Sequence, residues 1–241
     1  MTIIPAIDII NGKCVRLTHG DYAQQKVYNE NPLEVAKQFE DAGITRLHMV
    51  DLDGAKAGSI TNLKVLEAVA SKTNLAIDFG GGIKQISDVE NVFNAGAAIA
   101  TIGSLAVKQP ALLEEWLMEF GAGKFLIGAD VLDEKIKISG WLEDGGVNVF
   151  AFIGKMIGLG AINIFCTDIS KDGAMKGPSI DLYKRIIEEH PEINLIASGG
   201  VTTIDDVVKL KEIGCAGSII GKAIYEGTIK LEQLQTLNLK P

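Results

Sequence analysis

Apolar and polar positions along this chain alternate between two periods. Short β-branched and apolar runs occupy residues 2–7, 46–50, 75–79, 98–102, 125–129, 162–166, 194–197 and 218–220. Between them, apolar residues recur at helical spacing over 32–42, 62–71, 86–95, 110–120, 147–159, 179–189 and 203–213, with a last helix within 223–237. Asn31-Pro32 and Ser87-Asp88 read as helix starts. Eight near-continuous hydrophobic strands, each followed by a helix, predict an α/β fold: a closed (β/α)8 TIM barrel. No Pro/Ser-rich linker or shift of composition interrupts the pattern, so residues 1–241 are expected to form one catalytic domain. The competing fold, an open doubly wound sheet, does not require the internal repeat described next.

The chain repeats itself at half its length. Phe79-Gly80-Gly81-Gly82-Ile83 is echoed by Ala197-Ser198-Gly199-Gly200-Val201, and Thr101-Ile102-Gly103-Ser104 by Ile219-Ile220-Gly221-Lys222. Both offsets are 118 residues (199 − 81 and 221 − 103). The expected barrel is therefore built from two homologous half-barrels. Each glycine cluster ends a strand and precedes a helix, where several backbone N–H groups can turn toward an anion. A single such pair is as well read as a tight turn, but four in register point to two phosphate cradles: Gly81-Gly82 with Gly103-Ser104, and Gly199-Gly200 with Gly221-Lys222. Strands 3 and 4 lie across a barrel from strands 7 and 8, so the expected ligand is elongated, with a phosphate at each end.

Composition narrows the partners. With 31 Asp and Glu against 23 Lys and Arg the formal net charge is −8, and no basic run is present, which argues against nucleic acid and anionic membrane. No apolar stretch approaches the roughly 20 residues of a membrane span, and Met1-Thr2-Ile3-Ile4-Pro5 lacks the basic start of a signal peptide. A cytoplasmic monomer acting on a small molecule is the expectation. Cys14, Cys166 and Cys215 form no metal-spacing pair and read as reduced, buried thiols. His19, His48 and His190 are too scattered to suggest a metal site, and no metal is expected.

Two carboxylates carry the chemistry. Asp8 and Asp130 end strands 1 and 5, half a barrel apart (130 − 8 = 122). Alternation puts Ile4, Ala6 and Asp8 on one face and Leu126, Gly128 and Asp130 on the corresponding face. An isolated strand-end Asp is more often a cap, but this symmetric pair reads as an acid and a base beneath a doubly anchored ligand. Asp172 can reach the reacting centre from its loop, while Asp51 and Asp168 read as loop anchors. His48 is either a satisfied core histidine or a substrate contact.

The motifs together resemble a known family. Pro5-Ala6-Ile7-Asp8, Gly12-Lys13-Cys14-Val15-Arg16-Leu17, His48-Met49-Val50-Asp51-Leu52-Asp53-Gly54-Ala55, Gly80-Gly81-Gly82-Ile83 and Thr167-Asp168-Ile169-Ser170-Lys171-Asp172-Gly173 are similar to the isomerases of histidine biosynthesis, end to end. The resemblance implies an aldose–ketose isomerase. Its Amadori rearrangement converts the bisphosphorylated formimino aminoimidazole carboxamide ribotide to its ribulosyl isomer without metal or organic cofactor. On that resemblance Asp8 is the base and Asp130 the acid, with Asp172 as rival for the acid. Arg16 contacts substrate, Thr167 positions the opening sugar, and Trp141 lies on a loop that covers it. The related cyclase of imidazole glycerol phosphate synthase reads Cys-Leu-Asp where this chain has Ala6-Ile7-Asp8, and Lys where it has Arg16. That cyclase and a non-catalytic phosphoribosyl-binding barrel are the alternatives. Lys84 and His19 depart from the commonest isomerase pattern, which has Arg and Gln there.

Overall fold

The computed structural model describes residues 1–18 and 20–238. Its centre is a ring of eight parallel strands: β1 (Thr2–Ile10), β2 (Arg46–Asp51), β3 (Ala76–Gly80), β4 (Ile99–Ile102), β5 (Phe125–Leu132), β6 (Asn163–Asp168), β7 (Asn194–Ser198) and β8 (Gly217–Ile220). Each pairs with the next, β5 pairs with β6 so that Asp130 stands opposite Thr167, and β8 closes onto β1. Helices α1 (Pro32–Asp41), α2 (Leu63–Ala70), α3 (Ile86–Asn94), α4 (Pro110–Phe120), α5 (Val149–Gly158), α6 (Ile180–Glu189), α7 (Ile204–Glu212) and α8 (Leu231–Asn238) follow the strands in turn. The expected (β/α)8 barrel is the observed one. No helix among the described residues is long and apolar enough to cross a membrane.

Strand alternation sorts the residues as anticipated. Ile4, Ala6, Leu126, Phe165, Ile196 and Ile219 fill the barrel interior, whereas Ile7, Leu47, Met49, Ile77, Phe79 and Ala129 face the helices in the larger outer core. Gly128 is part of that filling, because a Cβ there would stand 2.8 Å from the ring of Phe165. Cys14, Cys166 and Cys215 are buried free thiols, and burial pushes each of them up from its ordinary pKa.

Two hairpins rise outside this pattern. One pairs Lys13–Thr18 with Asp21–Asn29, and the other pairs Lys135–Ile138 with Glu143–Asn148. Asp21–Asn29 is largely exposed and Glu143–Asn148 is nearly devoid of apolar residues, so neither strand carries a hydrophobic period that could announce it. His19 lies outside the described residues.

Helix starts show the duplication at atomic detail. Asn31 caps α1 by accepting the Leu33 N–H at 3.2 Å, with Pro32 in the first helical position. For α3 the cap is Gln85 rather than Ser87, which lies inside the first turn. Asp88 explains the shift: from the third helical position its Oδ2 reaches back to the N–H groups of Lys84 and Gln85 at 2.9 and 3.1 Å. Asp206, 118 residues on, accepts from Thr202 and Thr203, both at 3.0 Å. Asp88→Ala and Asp206→Ala should each cost about 1 kcal/mol, and the double variant their sum, since the two sites share no partner. Urea unfolding of the three variants measures this, and a loss at only one site would show that the two starts are not equivalent.

Candidate active site

The C-terminal ends of the strands carry the site. After β3 the chain turns through Gly81 and Gly82 at φ 106° and 90°, and after β7 through Gly199 and Gly200 at 87° and 81°. Gly103, after β4, has φ −101° and ψ −104°, and its echo Gly221, after β8, has −108° and −92°. The repeat is thus one of backbone conformation as well as of letters. Arg16, Asp172, Ser198, Gly199, Gly221 and Lys222 border a cavity of about 30 Å³ at the second cradle. Lys222 Nζ donates to the Gly173 carbonyl at 2.7 Å, tying the loop after β6 to that cradle. At the first cradle, Ser104 Oγ accepts the N–H of Ser139 at 2.8 Å.

The paired glycines at 81–82 and 199–200 have a reason that the motif did not reveal. A Cβ on Gly81 would stand 2.1 Å from the Asp51 carbonyl oxygen, and one on Gly200 would stand 2.4 Å from that of Gly177. Their missing side chains make room for neighbouring loop backbone, so Val at either position breaks loop packing rather than merely blocking an anion. Gly103 differs, because a Cβ there meets nothing within 4 Å.

Asp8 and Asp130 both lie inside the mouth, and burial pushes both carboxyls up from 3.8. What opposes that push differs. Asp8 Oδ2 accepts from Arg16 Nη1 at 2.8 Å, a full positive charge. Asp130 accepts only neutral donors, the Trp141 indole N–H at 2.9 Å and the Thr167 hydroxyl. The two carboxyls thus differ in what opposes burial, a cation at Asp8 and neutral donors at Asp130. Arg16 also lies 3.9 Å from Asp172, and its guanidinium covers the face where a Gly221 Cβ would point. One cation thus joins the base candidate, the rival acid and the second cradle. Trp141 reaches Asp130 from the turn of the second hairpin, at φ 73°, and its ring rests on Gly20 of the first.

The other strand-end aspartates hold loops, as expected. Asp51, fully buried, accepts the N–H groups of Gly54, Thr61 and Asn62 and the Asn62 amide. Asp168 accepts from Ser170 and Ser179. The sequence reading missed Asp78, a fully buried carboxylate in the barrel interior, bonded to His48, Arg46 and Thr101. An Asp at an interior-facing position of an apolar strand was the available signal. His48 is 5% exposed and faces Phe165 edge-on at 5.6 Å between ring centroids, so it is buried and partnered, beneath both carboxylates.

The family model described as histidine biosynthesis protein matches residues 2–230. The chain belongs to that family. It is 54% identical over 235 residues, 98% of each chain, to a protein of Flavobacterium johnsoniae named 1-(5-phosphoribosyl)-5-((5-phosphoribosylamino)methylideneamino)imidazole-4-carboxamide isomerase. Proteins of the same name from Flavobacterium psychrophilum and Azobacteroides pseudotrichonymphae are 53% and 55% identical, covering 99% and 97% of each chain.

In this member of the histidine biosynthesis protein family, burial of Asp130 has a stability signature. Its carboxyl titrates above 3.8 in the native state, so the native state holds the proton more tightly than the unfolded chain does. Stability therefore falls as pH rises through the window between the two values. Asp130→Asn should consequently be at least as stable as wild type near pH 8, with an advantage that shrinks as pH drops toward about 4. Thermal melts across that range measure it. An advantage that grows on acidification would contradict the assignment of a raised value.

Proposed function

We propose that this chain is the aldose–ketose isomerase of histidine biosynthesis, acting on the bisphosphorylated aminoaldose ribotide. One observation carries the reading: two conformationally equivalent glycine cradles flank a pair of part-buried carboxylates, only one of which has a cationic partner. The cradles take the terminal phosphates, Gly81, Gly82, Gly103 and Ser104 at one end and Gly199, Gly200, Gly221 and Lys222 at the other. Held at both ends, the sugar lies over the barrel axis, and remote binding energy positions its reacting carbon.

Asp130, kept neutral, gives its proton to the ring oxygen, and the C–O bond opens to a Schiff base. Asp8, kept ionised by Arg16, takes the proton from C2, and the electron pair moves toward nitrogen to leave an enol. C1 then takes up a proton and the C2 hydroxyl loses its own, which converts the enol to the ketone. One proton has left Asp130 and one has arrived at Asp8, so exchange with solvent resets both. Asp172 is the rival for the acid, its carboxylate 3.9 Å from the Arg16 guanidinium. Thr167 orients the opening sugar, Trp141 covers it, and His48 contacts it from below.

The cyclase alternative fares worse. Ala6-Ile7-Asp8 and Arg16 depart from its pattern, and the curated relatives above, at 53–55% identity, bear the isomerase name. The enzyme is proposed to be a cytoplasmic monomer of one domain, residues 1–241, without a nucleic-acid partner.

Purified protein should convert the aminoaldose ribotide to its ketose isomer with no glutamine or ammonia present. Product only with ammonia would assign the cyclase, and thermal stabilisation by the ribotide without turnover would assign a binding protein. Asp8→Asn should lower kcat by about 10² to 10⁴ with ligand affinity largely kept. Asp130→Asn should be slower than Asp172→Asn, and the reverse order would move the acid role to Asp172.

A further inference from the structure

The duplication is faithful at the cradles and broken at one place in the barrel interior. Arg46, His48, Asp78 and Thr101 of the first half correspond, at the same offsets of 117 or 118, to Asn163, Phe165, Ile196 and Ile219 of the second. The second half fills these positions with three apolar side chains, all in the interior cluster. The first half fills them with a charged network. Asp78 accepts from Arg46 Nε at 3.1 Å and Thr101 Oγ1 at 3.2 Å, and it is in short contact with His48 Nδ1. Burying such charges is costly, and apolar replacements of similar volume are often as stable or better. The same fold uses that apolar solution across the axis, so stability does not account for the network.

Geometry says what does. Arg46 Nε and Thr101 Oγ1 both donate to the Asp78 carboxyl, so Asp78 is an acceptor. His48 Nδ1 must then carry a proton. The ring reaches across the axis to Phe165 and acts electrostatically on both Asp8 and Asp130, while no hydrogen bond of Nε2 is made among the described residues. We propose that Asp78 is a positioning residue: it fixes the proton on His48 Nδ1 and the plane of the ring, so that Nε2 accepts a hydrogen bond from a hydroxyl of the bound sugar. Arg46 holds Asp78 from the strand start below. This role rests on the isomerase reading for the identity of the sugar. The tautomer itself does not.

Two measurements test it. In wild-type protein labelled with ¹⁵N-histidine, at a pH where His48 is neutral, Nδ1 should give the shift of a protonated ring nitrogen and Nε2 that of a bare one, with His48→Gln supplying the assignment. The opposite tautomer overturns the proposal whether or not any variant folds and whatever the enzyme's substrate. In turnover, Asp78→Asn should lower kcat roughly 10- to 100-fold with KM within about threefold. The double variant Asp78→Asn/His48→Gln should be no slower than His48→Gln, because Asp78 acts through the ring. Multiplying losses, or an Asp78→Asn enzyme at the wild-type rate, would overturn it. Absence of turnover in wild type would instead count against the isomerase reading.

Discussion

Setting two carboxyls partly out of water in the barrel mouth is the constraint on which this site depends. Burial alone would raise both and leave two neutral acids, unable to divide the labour of a proton transfer. The structure separates them with a single cation. Arg16 sits 2.8 Å from Asp8, whereas Asp130 receives an indole N–H and a hydroxyl. Arg16 can do this because the first hairpin, antiparallel to β1 with Val15 opposite Asp8, brings the next residue over the mouth. The same guanidinium lies against Gly221 and within 3.9 Å of Asp172, so moving it would disturb its contacts with Asp8, Asp172 and the second glycine cradle together.

Duplication supplies the remaining geometry at low cost in new structure. A half-barrel that turns through two left-handed glycines and begins its next helix beneath an aspartate has been used twice, and each copy offers an anion site at a strand end. A ligand with a phosphate at each end fits such symmetry. The chemistry proposed for it does not, since that gives one proton on one side and takes another on the other. The asymmetry enters through Arg16, through the hairpin that carries Trp141, and through the charged interior of the first half, all grafted onto a scaffold that repeats.

Most of the barrel was legible because its strands are apolar on both faces and its helices amphipathic, so period and length agreed with composition at each element. The hairpins were not, since strands such as Asp21–Asn29 and Glu143–Asn148 carry too little apolar pattern to read. Asp8, Asp130 and the glycines stood out by sitting where a run of hydrophobic residues stops. Asp78 was hidden by position: it lies two residues before the end of β3, among residues that read as core, and only the ring of strands brings it beside His48 and Arg46. The role of Gly81 was hidden for a related reason, because the backbone it makes room for lies thirty residues away in the chain.

The position of Trp141 ties the cover of the site to the acid beneath it. Ser139, Gly140 and Trp141 all have positive φ, so the turn is held by its contacts, among them Ser104 and Lys108 on Ser139, and Gly20 of the first hairpin and Oδ2 of Asp130 on Trp141. An N–H donor stabilises the charged form of a carboxyl. On the role proposed for Asp130, a ligand group that displaced the indole would remove that donor, and the carboxyl would hold its proton more firmly. Cover and acid strength are then two readings of one hydrogen bond: the indole that reaches over the mouth is also a donor that eases the loss of the Asp130 proton.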